Sequence, residues 1–189
     1  ISIQDDILQT RPIAGTHPRG ESTEKDEKLS NDLLINEKER AEHLMLVDLE
    51  RSDMGRICKS GSVKVKELMV LEQYSHVSHI VSCIEGVIRP KLSVLDILKA
   101  LFPGGTITGC PKIRCMEIIH ELEPSNRGLY SGSFGYIGFN RQLDLNIIIR
   151  TIIIKDEKAL FHVGAGIVAD SDPNKEYEET LAKAAPMIR

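Results

Sequence analysis

Apolar residues recur along the chain with two spacings, one typical of helices and one typical of strands. Apolar positions three and four residues apart predict four helices, at residues 31 or 37 to 52, 93–101, 111–122 and 172–187. Ser93 and Asp172 are the predicted N-caps of the second and fourth of these helices. Alternating or continuous apolar runs predict strands at residues 1–9, 63–66, 68–74 and 79–88, and a three-strand antiparallel meander at residues 130–139, 145–155 and 160–168. The first long helix is expected to be largely buried, because its apolar positions surround the helix axis.

Two segments interrupt this pattern. Residues 21–31 are charged and poor in apolar side chains, so we expect a mobile surface loop there. Residues 102–112 carry three glycines and two threonines, and Pro111 stands near the first turn of the helix that follows. A glycine-rich entry into a helix can cradle an anion, but a tight packing turn needs the same glycines, so both interpretations stay open.

Composition narrows the classes of function. The 189-residue chain is 41% hydrophobic and 28% charged, and its net charge of −4 gives no basic footprint for nucleic acid. No apolar run is long enough to cross a membrane. The four cysteines lack CxxC spacing, so we expect core thiols in a reducing cytoplasm. The length fits one domain, and because the first residue is Ile1 rather than Met we expect a piece of a longer protein.

Two pairs of glutamates are the first candidates for chemistry. Glu39 and Glu42 lie three residues apart on the first long helix, so they share a face and repel each other. Glu176 and Glu179 repeat this arrangement on the C-terminal helix. Our hypothesis is that the two helices face each other and hold one divalent metal, for which carboxylate oxygens favour Mg²⁺. Glutamates at this spacing more often belong to a solvated face, and Glu179 could instead pair with Lys183 one turn later.

Two further polar side chains stand among apolar neighbours. Arg150 lies within the isoleucine run at residues 147–154, where a buried unpaired charge would be costly. A salt bridge to a core carboxylate and a bidentate clamp on a ligand carboxylate explain it equally well. His79 shares a strand face with valines, which is typical of a hydrogen-bonded core histidine, but its polar neighbours also allow a catalytic role.

Five stretches occur in the order that one family shows. They are residues 12–16 (Pro-Ile-Ala-Gly-Thr), 42–49 (Glu-His-Leu-Met-Leu-Val-Asp-Leu), 109–114 (Gly-Cys-Pro-Lys-Ile-Arg), 149–150 (Ile-Arg) and 164–170 (Gly-Ala-Gly-Ile-Val-Ala-Asp). The chain resembles the catalytic domain of chorismate-utilising enzymes, such as anthranilate synthase component I, aminodeoxychorismate synthase component I, and the isochorismate and salicylate synthases. The match covers nearly everything except residues 21–31. It implies an α+β fold of layered antiparallel β-sheets with helices packed outside.

The resemblance also implies the site residues. Those implied to hold Mg²⁺, and through it the ring carboxylate of chorismate, are Glu39, Glu42, Glu176 and Glu179. Those implied to bind chorismate are Arg150, Tyr136, Thr106, Gly109, Ile149, Ala165 and Gly166. Those implied to be catalytic are His79, Thr16 and Lys183. Within this set, Arg150 would hold the enolpyruvyl carboxylate and His79 would lie beside the reacting ring carbons.

Two loops point to different members of the family. Aminodeoxychorismate synthases usually carry lysine at the position of Ala14 and use it as a nucleophile on the ring. The alanine found here resembles the residue that anthranilate synthases carry at this position, and it cannot form that adduct. Residues 102–109, by contrast, look more like the corresponding loop of aminodeoxychorismate synthases. We expect Mg²⁺-dependent amination of chorismate to anthranilate with pyruvate elimination. The alternatives are aminodeoxychorismate synthase component I and a non-catalytic chorismate-binding homologue.

The partners implied by the resemblance are chorismate and ammonia, the latter from a glutamine amidotransferase subunit or domain. A cytoplasmic protein is implied, and a homo- or hetero-oligomer is compatible with the family. The family's Ser-Pro-Glu stretch, which carries a candidate general acid, would lie just before Ile1. The chain alone is therefore expected to be inactive.

Overall fold

The computed structural model describes residues 1–75, 77–169 and 171–188. The strands are β1 (Ser2–Gln4), β2 (Ile7–Thr10), β3 (Ile13–Pro18), β4 (Lys64–Gln73), β5 (Val77–Val87), β6 (Ser133–Ile137), β7 (Leu143–Ile147), β8 (Ile153–Lys155) and β9 (Lys158–Leu160). The helices are α1 (Thr23–Ile35), α2 (Glu37–Gly55), α3 (Val94–Leu101), α4 (Gly105–Thr108), α5 (Lys112–Leu122) and α6 (Pro173–Ile188). Asp170, the last residue of the motif at residues 164–170, lies outside the described residues.

The chain divides into two compact units. The first contains Ile1–Thr106 and Tyr136–Asp144, and the second contains residues 107–135 and those from residue 145 onward. One sheet has the strand order β3-β5-β2-β1-β7-β6, and β4 also pairs with β5. The pairings among β1, β2, β3, β4 and β5 are antiparallel. The predicted mixture of helices and antiparallel strands is confirmed.

The central strand of the first unit is β5. It has β4 along one edge, whereas β2 and β3 follow one another along the other edge, opposite residues 84–87 and 77–81. Residues 80–84 of β5 are buried on both faces of the sheet. The predicted strand at residues 79–88 is therefore correct, and its middle residues form part of the core.

The strand β4 is continuous where the apolar pattern predicts two strands. Its register against β5 shifts on either side of Glu67. Near the second shift Met69 takes φ +54°, and its N–H donates to Ser82 Oγ at 2.9 Å. Such bulges break the alternation of side chains without ending the strand, which is why the pattern predicts an interruption.

The predicted first long helix is α2, and Asn36 caps it by accepting the Glu39 N–H at 3.1 Å. The apolar and polar side chains that it buries are His43, Leu46, Val47, Asp53 and Met54. Leu44 and Met45 are 44% and 47% exposed, so the expectation of a largely buried helix is wrong. The buried positions are spaced by three, four and seven residues and so form one stripe, while these two side chains fall outside it.

Helix α1 occupies the segment expected to be a mobile loop at residues 21–31, so that expectation is wrong. Ser22 caps the helix by accepting the Lys25 N–H at 3.4 Å. Arg19 donates two hydrogen bonds to the Asp26 carboxylate, at 2.8 and 2.6 Å. Its cap and this ion pair stabilise a helix that buries little apolar surface, and hydrophobic patterning does not register either contribution.

The ion pair between Arg19 and Asp26 makes stability depend on pH. The Arg19 guanidinium, together with the Gly20 N–H, lowers the pKa of Asp26 from 3.8 to about 2. A carboxylate with a lowered folded-state pKa contributes stability above its unfolded pKa and loses it as the pH falls through the folded value.

We therefore expect Asp26→Asn to lower the thermal unfolding midpoint clearly at about pH 6, and to lower it progressively less between about pH 4 and pH 2. Unfolding of the full-length protein followed by circular dichroism measures this difference. Glu21→Gln is the control, because the Glu21 side chain is 91% exposed beside Lys25 and should change little at either pH. A change in the unfolding midpoint of Asp26→Asn that is equally large at about pH 6 and about pH 2 would contradict a stabilising ion pair between Arg19 and Asp26.

The last third departs most from its predicted meander. The predicted turn between β6 and β7 is closed by hydrogen bonds from Gly138 to Gln142 and from Arg141 to Gly138. A second hairpin, β8 with β9, turns at Asp156 and Glu157 as predicted, and both residues have positive φ. The strand predicted at residues 145–155 is broken, however, and no strand is assigned at residues 161–168. The meander is therefore replaced by two hairpins.

The break between β7 and β8 changes the surroundings of Arg150. The residue takes φ +50° and is exposed, and beside it the Thr151 hydroxyl donates to the Ile149 carbonyl at 2.9 Å. The expectation that Arg150 lies within an apolar strand is wrong, because a local turn interrupts the isoleucine run. Within the described parts of the chain no ion pair involves Arg150, so the salt-bridge interpretation gains no support.

The cysteines agree only in part with the expectation of core thiols. Cys58 and Cys83 are buried, but Cys110 is exposed and Cys115 is half-buried. Cys110 lies in the loop before α5, which explains its exposure. Among the residues that the structure describes, no helix combines the length and the apolar character that a bilayer crossing requires.

Candidate functional site

A β-bulge in β3 organises the candidate site of the first unit. Ile13 pairs with Val81 and Thr16 pairs with His79, so two residues of β3, Ala14 and Gly15, stand opposite a single residue of β5. Side chains alternate along a regular strand, and the extra residue therefore turns Thr16 to the same face as His79. Gly15 has φ +84°, a conformation that glycine adopts without strain.

The bulge brings two predicted catalytic residues together. Thr16 Oγ1 lies 2.8 Å from His79 Nδ1, and the His79 ring is tilted against the Tyr74 ring at a centroid distance of 5.7 Å. Thr16 is exposed and His79 is half-buried. A hydrogen bond between the hydroxyl and Nδ1 restricts the orientation of the imidazole. The histidine is thus oriented by hydrogen bonding, yet it is not enclosed in the core.

The other side of the bulge faces α2. A Cβ added at Gly15 would lie 3.2 Å from Glu39 Oε2 and 3.1 Å from Leu33 Cδ1. Glycine therefore lets the Glu39 carboxylate approach the backbone closely. Glu42 lies one turn later on the same helix and is half-buried. Gly15 in the bulge thus lies near a predicted metal ligand, and the next residue, Thr16, contacts a predicted catalytic histidine.

A buried histidine that sequence reasoning missed lies beside these carboxylates. His43 is fully buried, and its Nε2 lies 2.6 Å from Ser82 Oγ on β5. Burial lowers the pKa of His43, and the backbone of Ala14 partly opposes this shift. The only signal in the sequence is a polar residue at a position of the buried helical stripe, and that signal does not identify its partner.

In the second unit, α6 carries the second pair of glutamates. Asp172 caps this helix as predicted, because its Oδ1 accepts two backbone N–H groups of the first turn at 3.0 Å. Glu176 is 8% exposed, while Glu179 is exposed and lies 2.6 Å from Lys183 Nζ. The predicted pairing of Glu179 with Lys183 is confirmed. Lys183 also donates to the Gly164 carbonyl at 3.1 Å, so it joins α6 to the loop at residues 164–166, called the glycine loop below.

Aromatic stacking supports the same glycine loop from another direction. Tyr130 stacks on His162 with a centroid distance of 5.4 Å, and the Arg127 guanidinium lies 5.4 Å from the Tyr130 ring. Arg127 itself binds the Glu123 carboxylate with contacts of 2.6 to 3.0 Å. A Cβ on Gly164 would lie 3.0 Å from the Tyr130 hydroxyl. Sequence reasoning missed this group, since no periodicity relates Tyr130 to His162.

The remaining predicted substrate residues lie on loops, on a strand surface and in the short helix α4. Tyr136 is 63% exposed on β6, and Ile149 and Arg150 are exposed on the turn after β7. Ala165 is half-buried and Gly166 is exposed, directly after Gly164. Thr106 is half-buried in α4, and Gly109 follows this helix with φ +92°.

Close packing explains one glycine of the loop at residues 102–112. A Cβ on Gly105 would lie 1.9 Å from Leu49 Cδ2 on α2, so a larger residue here would require the Leu49 side chain to move. At Gly105 the packing interpretation is therefore favoured over the anion cradle.

The donor chemistry of the glutamates is compatible with Mg²⁺. This ion usually takes one or two carboxylates from a protein and completes its octahedron with water and substrate oxygens. Glu39 and Glu42 on α2 supply such a pair, and Glu176 and Glu179 on α6 supply another. Within residues 1–75, 77–169 and 171–188, no group of three or more His, Cys, Asp or Glu side chains is arranged to hold a metal ion. A shared metal between the two helices stays a prediction.

Comparison with known proteins decides the family. The family model described as chorismate binding enzyme matches residues 1–189. The chain belongs to this family. It is 55% identical over 188 residues to the "Anthranilate synthase component I-like protein" of Synechocystis sp., covering 100% of this chain and 39% of that protein. It is also 55% identical over 189 residues to "Aminodeoxychorismate synthase component 1" of Bacillus subtilis, covering 100% of this chain and 40% of that protein.

A solved structure has the same fold. The crystal structure of anthranilate synthase component I from Streptococcus pneumoniae TIGR4 matches with a TM-score of 0.90 at 46% identity, over 100% of this chain and 41% of that chain. The predicted family and the predicted α+β fold class are confirmed. The chain spans 39% and 40% of the two relatives' lengths, and their equal identities do not separate the two reactions.

Proposed function

We propose that this chorismate-binding enzyme catalyses the Mg²⁺-dependent amination of chorismate to anthranilate. The observation that carries the proposal is the bulge at Gly15, where Thr16 is bonded to His79 and the Glu39 carboxylate approaches from α2. An oriented imidazole and a carboxylate on either side of one exposed backbone segment suit a small anionic substrate that must be held and protonated. Family membership supplies chorismate as that substrate.

The proposed reaction converts chorismate and ammonia into anthranilate, pyruvate and water. Ammonia adds to the ring, the ring hydroxyl leaves as water, and elimination of pyruvate with loss of a ring proton makes the ring aromatic. Mg²⁺, when bound by the glutamates, would supply positive charge at the ring carboxylate. Thr16 orients His79 by its bond to Nδ1, and His79 would exchange a proton at Nε2 beside the reacting carbons. Lys183, bound to Glu179 and to the Gly164 carbonyl, would keep the glycine loop in place.

The residue at position 14 supports anthranilate over aminodeoxychorismate as the product. Ala14 has no amine and cannot form a covalent adduct with the ring, so ammonia itself must attack. Ammonia at useful concentrations implies a glutamine amidotransferase subunit or domain as the partner. The alternative to an enzyme is a homologue that binds chorismate but does not convert it.

Consumption of chorismate by the full-length protein tests the proposal. We expect loss of chorismate in the presence of Mg²⁺ and ammonium, and no loss when either is omitted. Binding of chorismate in calorimetry without any consumption would refute catalysis and favour the non-catalytic alternative.

Arg150 is proposed to hold the enolpyruvyl carboxylate through its guanidinium fork. We expect Arg150→Lys to weaken chorismate binding about tenfold or more, because lysine keeps the charge but loses the bidentate contact. Arg141→Lys is the matched control, since Arg141 is also an exposed arginine with positive φ, on a different turn. Unchanged affinity in Arg150→Lys, measured by calorimetry with the full-length protein, would count against the clamp.

A further inference from the structure

His43 joins three elements of the first unit through one buried ring. It follows Glu42 directly on α2, and its Nε2 lies 2.6 Å from Ser82 Oγ on the central strand β5. Both side chains are 0% exposed. Ser82 Oγ also accepts the N–H of Met69 at 2.9 Å, at the irregular part of β4. The ring therefore connects α2 to β5 directly and to β4 through one hydroxyl.

The other ring nitrogen of His43 has no such partner among the described residues. Within the described chain Nδ1 of His43 is buried and has no hydrogen-bond partner of good geometry. The backbone of Ala14, one of the two residues that form the bulge, lies close enough to the ring to raise the pKa of His43 against the larger lowering by burial. A buried polar atom without a partner costs more than an apolar one of the same shape, so simple filling of this position favours leucine or methionine.

The helix itself shows that apolar residues can fill this stripe. Leu46, Val47 and Met54 do so at neighbouring buried positions. A histidine among them fills the same volume and also forms a directional hydrogen bond. Its hydrogen bond to Ser82 restricts the rotation of α2 about its axis and the depth of α2 against the sheet. The positions of Glu39 and Glu42 on α2 relative to Thr16 and His79 on the sheet depend on that depth.

We propose that His43 is a positioning residue for the reaction, an inference that rests on the proposed function. Its bond to Ser82 and its position beside the Ala14 backbone fix α2 against the bulge. The α2 carboxylates and the hydrogen-bonded Thr16–His79 pair are thereby held in one geometry. His43 itself contacts neither substrate nor metal in this role.

Variants of the full-length protein separate positioning from folding. His43→Leu fills the volume but loses the bond, and Ser82→Ala removes the partner with a smaller change in packing. We expect both to fold and to lower kcat about 10- to 100-fold, with a higher Mg²⁺ concentration for half-maximal activity and a KM for chorismate within about threefold of wild type. His43→Gln, whose amide nitrogen can occupy the place of Nε2, should recover most of kcat.

A readout independent of turnover accompanies these kinetics. Hydrogen exchange of the backbone amides at residues 13–16 should be faster in His43→Leu and Ser82→Ala than in wild type. Ser78→Ala is the control, because Ser78 is also a buried serine of β5 but its hydroxyl has no hydrogen-bond partner among the described residues. It should leave both kinetics and exchange unchanged.

The outcomes distinguish this inference from the proposed function. Wild-type protein that does not consume chorismate would refute the function, while the exchange rates would still test the role of His43. Folded Ser82→Ala with wild-type kcat, Mg²⁺ dependence and exchange would overturn the inference alone. Equal losses in His43→Leu and His43→Gln would also overturn it, because rescue requires the Ser82 bond.

Discussion

Glu42→Gln is expected to reduce Mg²⁺-dependent turnover of chorismate by about a hundredfold or more. A bound metal lowers the activation barrier by several kcal/mol, and each 1.36 kcal/mol is tenfold in rate. Glutamine keeps the shape of the side chain and removes its charge. The half-buried site on α2 should therefore keep its packing and lose its attraction for a cation. Initial rates of the full-length variant as a function of Mg²⁺ concentration measure the effect.

The same helix offers a matched control for this variant. Glu37 is exposed in the first turn of α2, and Glu37→Gln makes the same change of charge away from the bulge. We expect its turnover to stay within about twofold of wild type, as for most exposed substitutions. Glu179→Gln should behave like Glu42→Gln if both helices contribute ligands. Near-normal rates in either Glu42→Gln or Glu179→Gln would refute the proposed metal site.

The second large effect is expected at the bulge. Gly15→Ala would place a methyl group 3.1 to 3.2 Å from Leu33, Glu39 and Ile80 atoms, and would force alanine into φ +84°. The left-handed backbone alone costs about 1 to 2 kcal/mol for a residue other than glycine. Relief of the contacts must move the Glu39 carboxylate or the backbone that carries Thr16, so kcat should fall about tenfold or more in protein that is still folded.

Gly61→Ala separates strain from displacement. Gly61 also has positive φ, +74°, but a Cβ there would meet nothing within 4 Å. Both variants should therefore show a lower unfolding midpoint in full-length protein, while only Gly15→Ala should lose turnover. Full activity of folded Gly15→Ala would show that the geometry of the bulge is irrelevant to catalysis. An equal loss in Gly61→Ala would attribute the effect to stability.

Local signals predicted much of this fold. The cap residues Ser93 and Asp172, the strand β5 and the turn at residues 156–157 follow from spacing and turn chemistry that act over a few residues. Ser93 even forms a capping box with Asp96. Sequence patterns failed where a partner outside the element decides its structure. Helix α1 depends on an ion pair to Arg19, and no local pattern reveals it.

The candidate site shows the same division. Motifs identified Thr16 and His79 separately, but their contact depends on a one-residue shift in register that only pairing with β5 creates. The bulge was not predicted, although Gly15 in the middle of a strand is its usual sign. Arg150 was misplaced because a run of isoleucines suggests a strand, whereas the backbone turns there. Tyr130 and His162 were missed because stacking leaves no periodic trace.

The product formed by the full-length protein tests the central claim most directly. The protein is incubated with chorismate, Mg²⁺ and ¹⁵N-labelled ammonium, and the products are separated and identified by fluorescence and mass spectrometry. We predict anthranilate that carries the label in its amino group, together with an equal amount of pyruvate. Accumulation of 4-amino-4-deoxychorismate without anthranilate, or recovery of all the chorismate unchanged, would contradict the assignment.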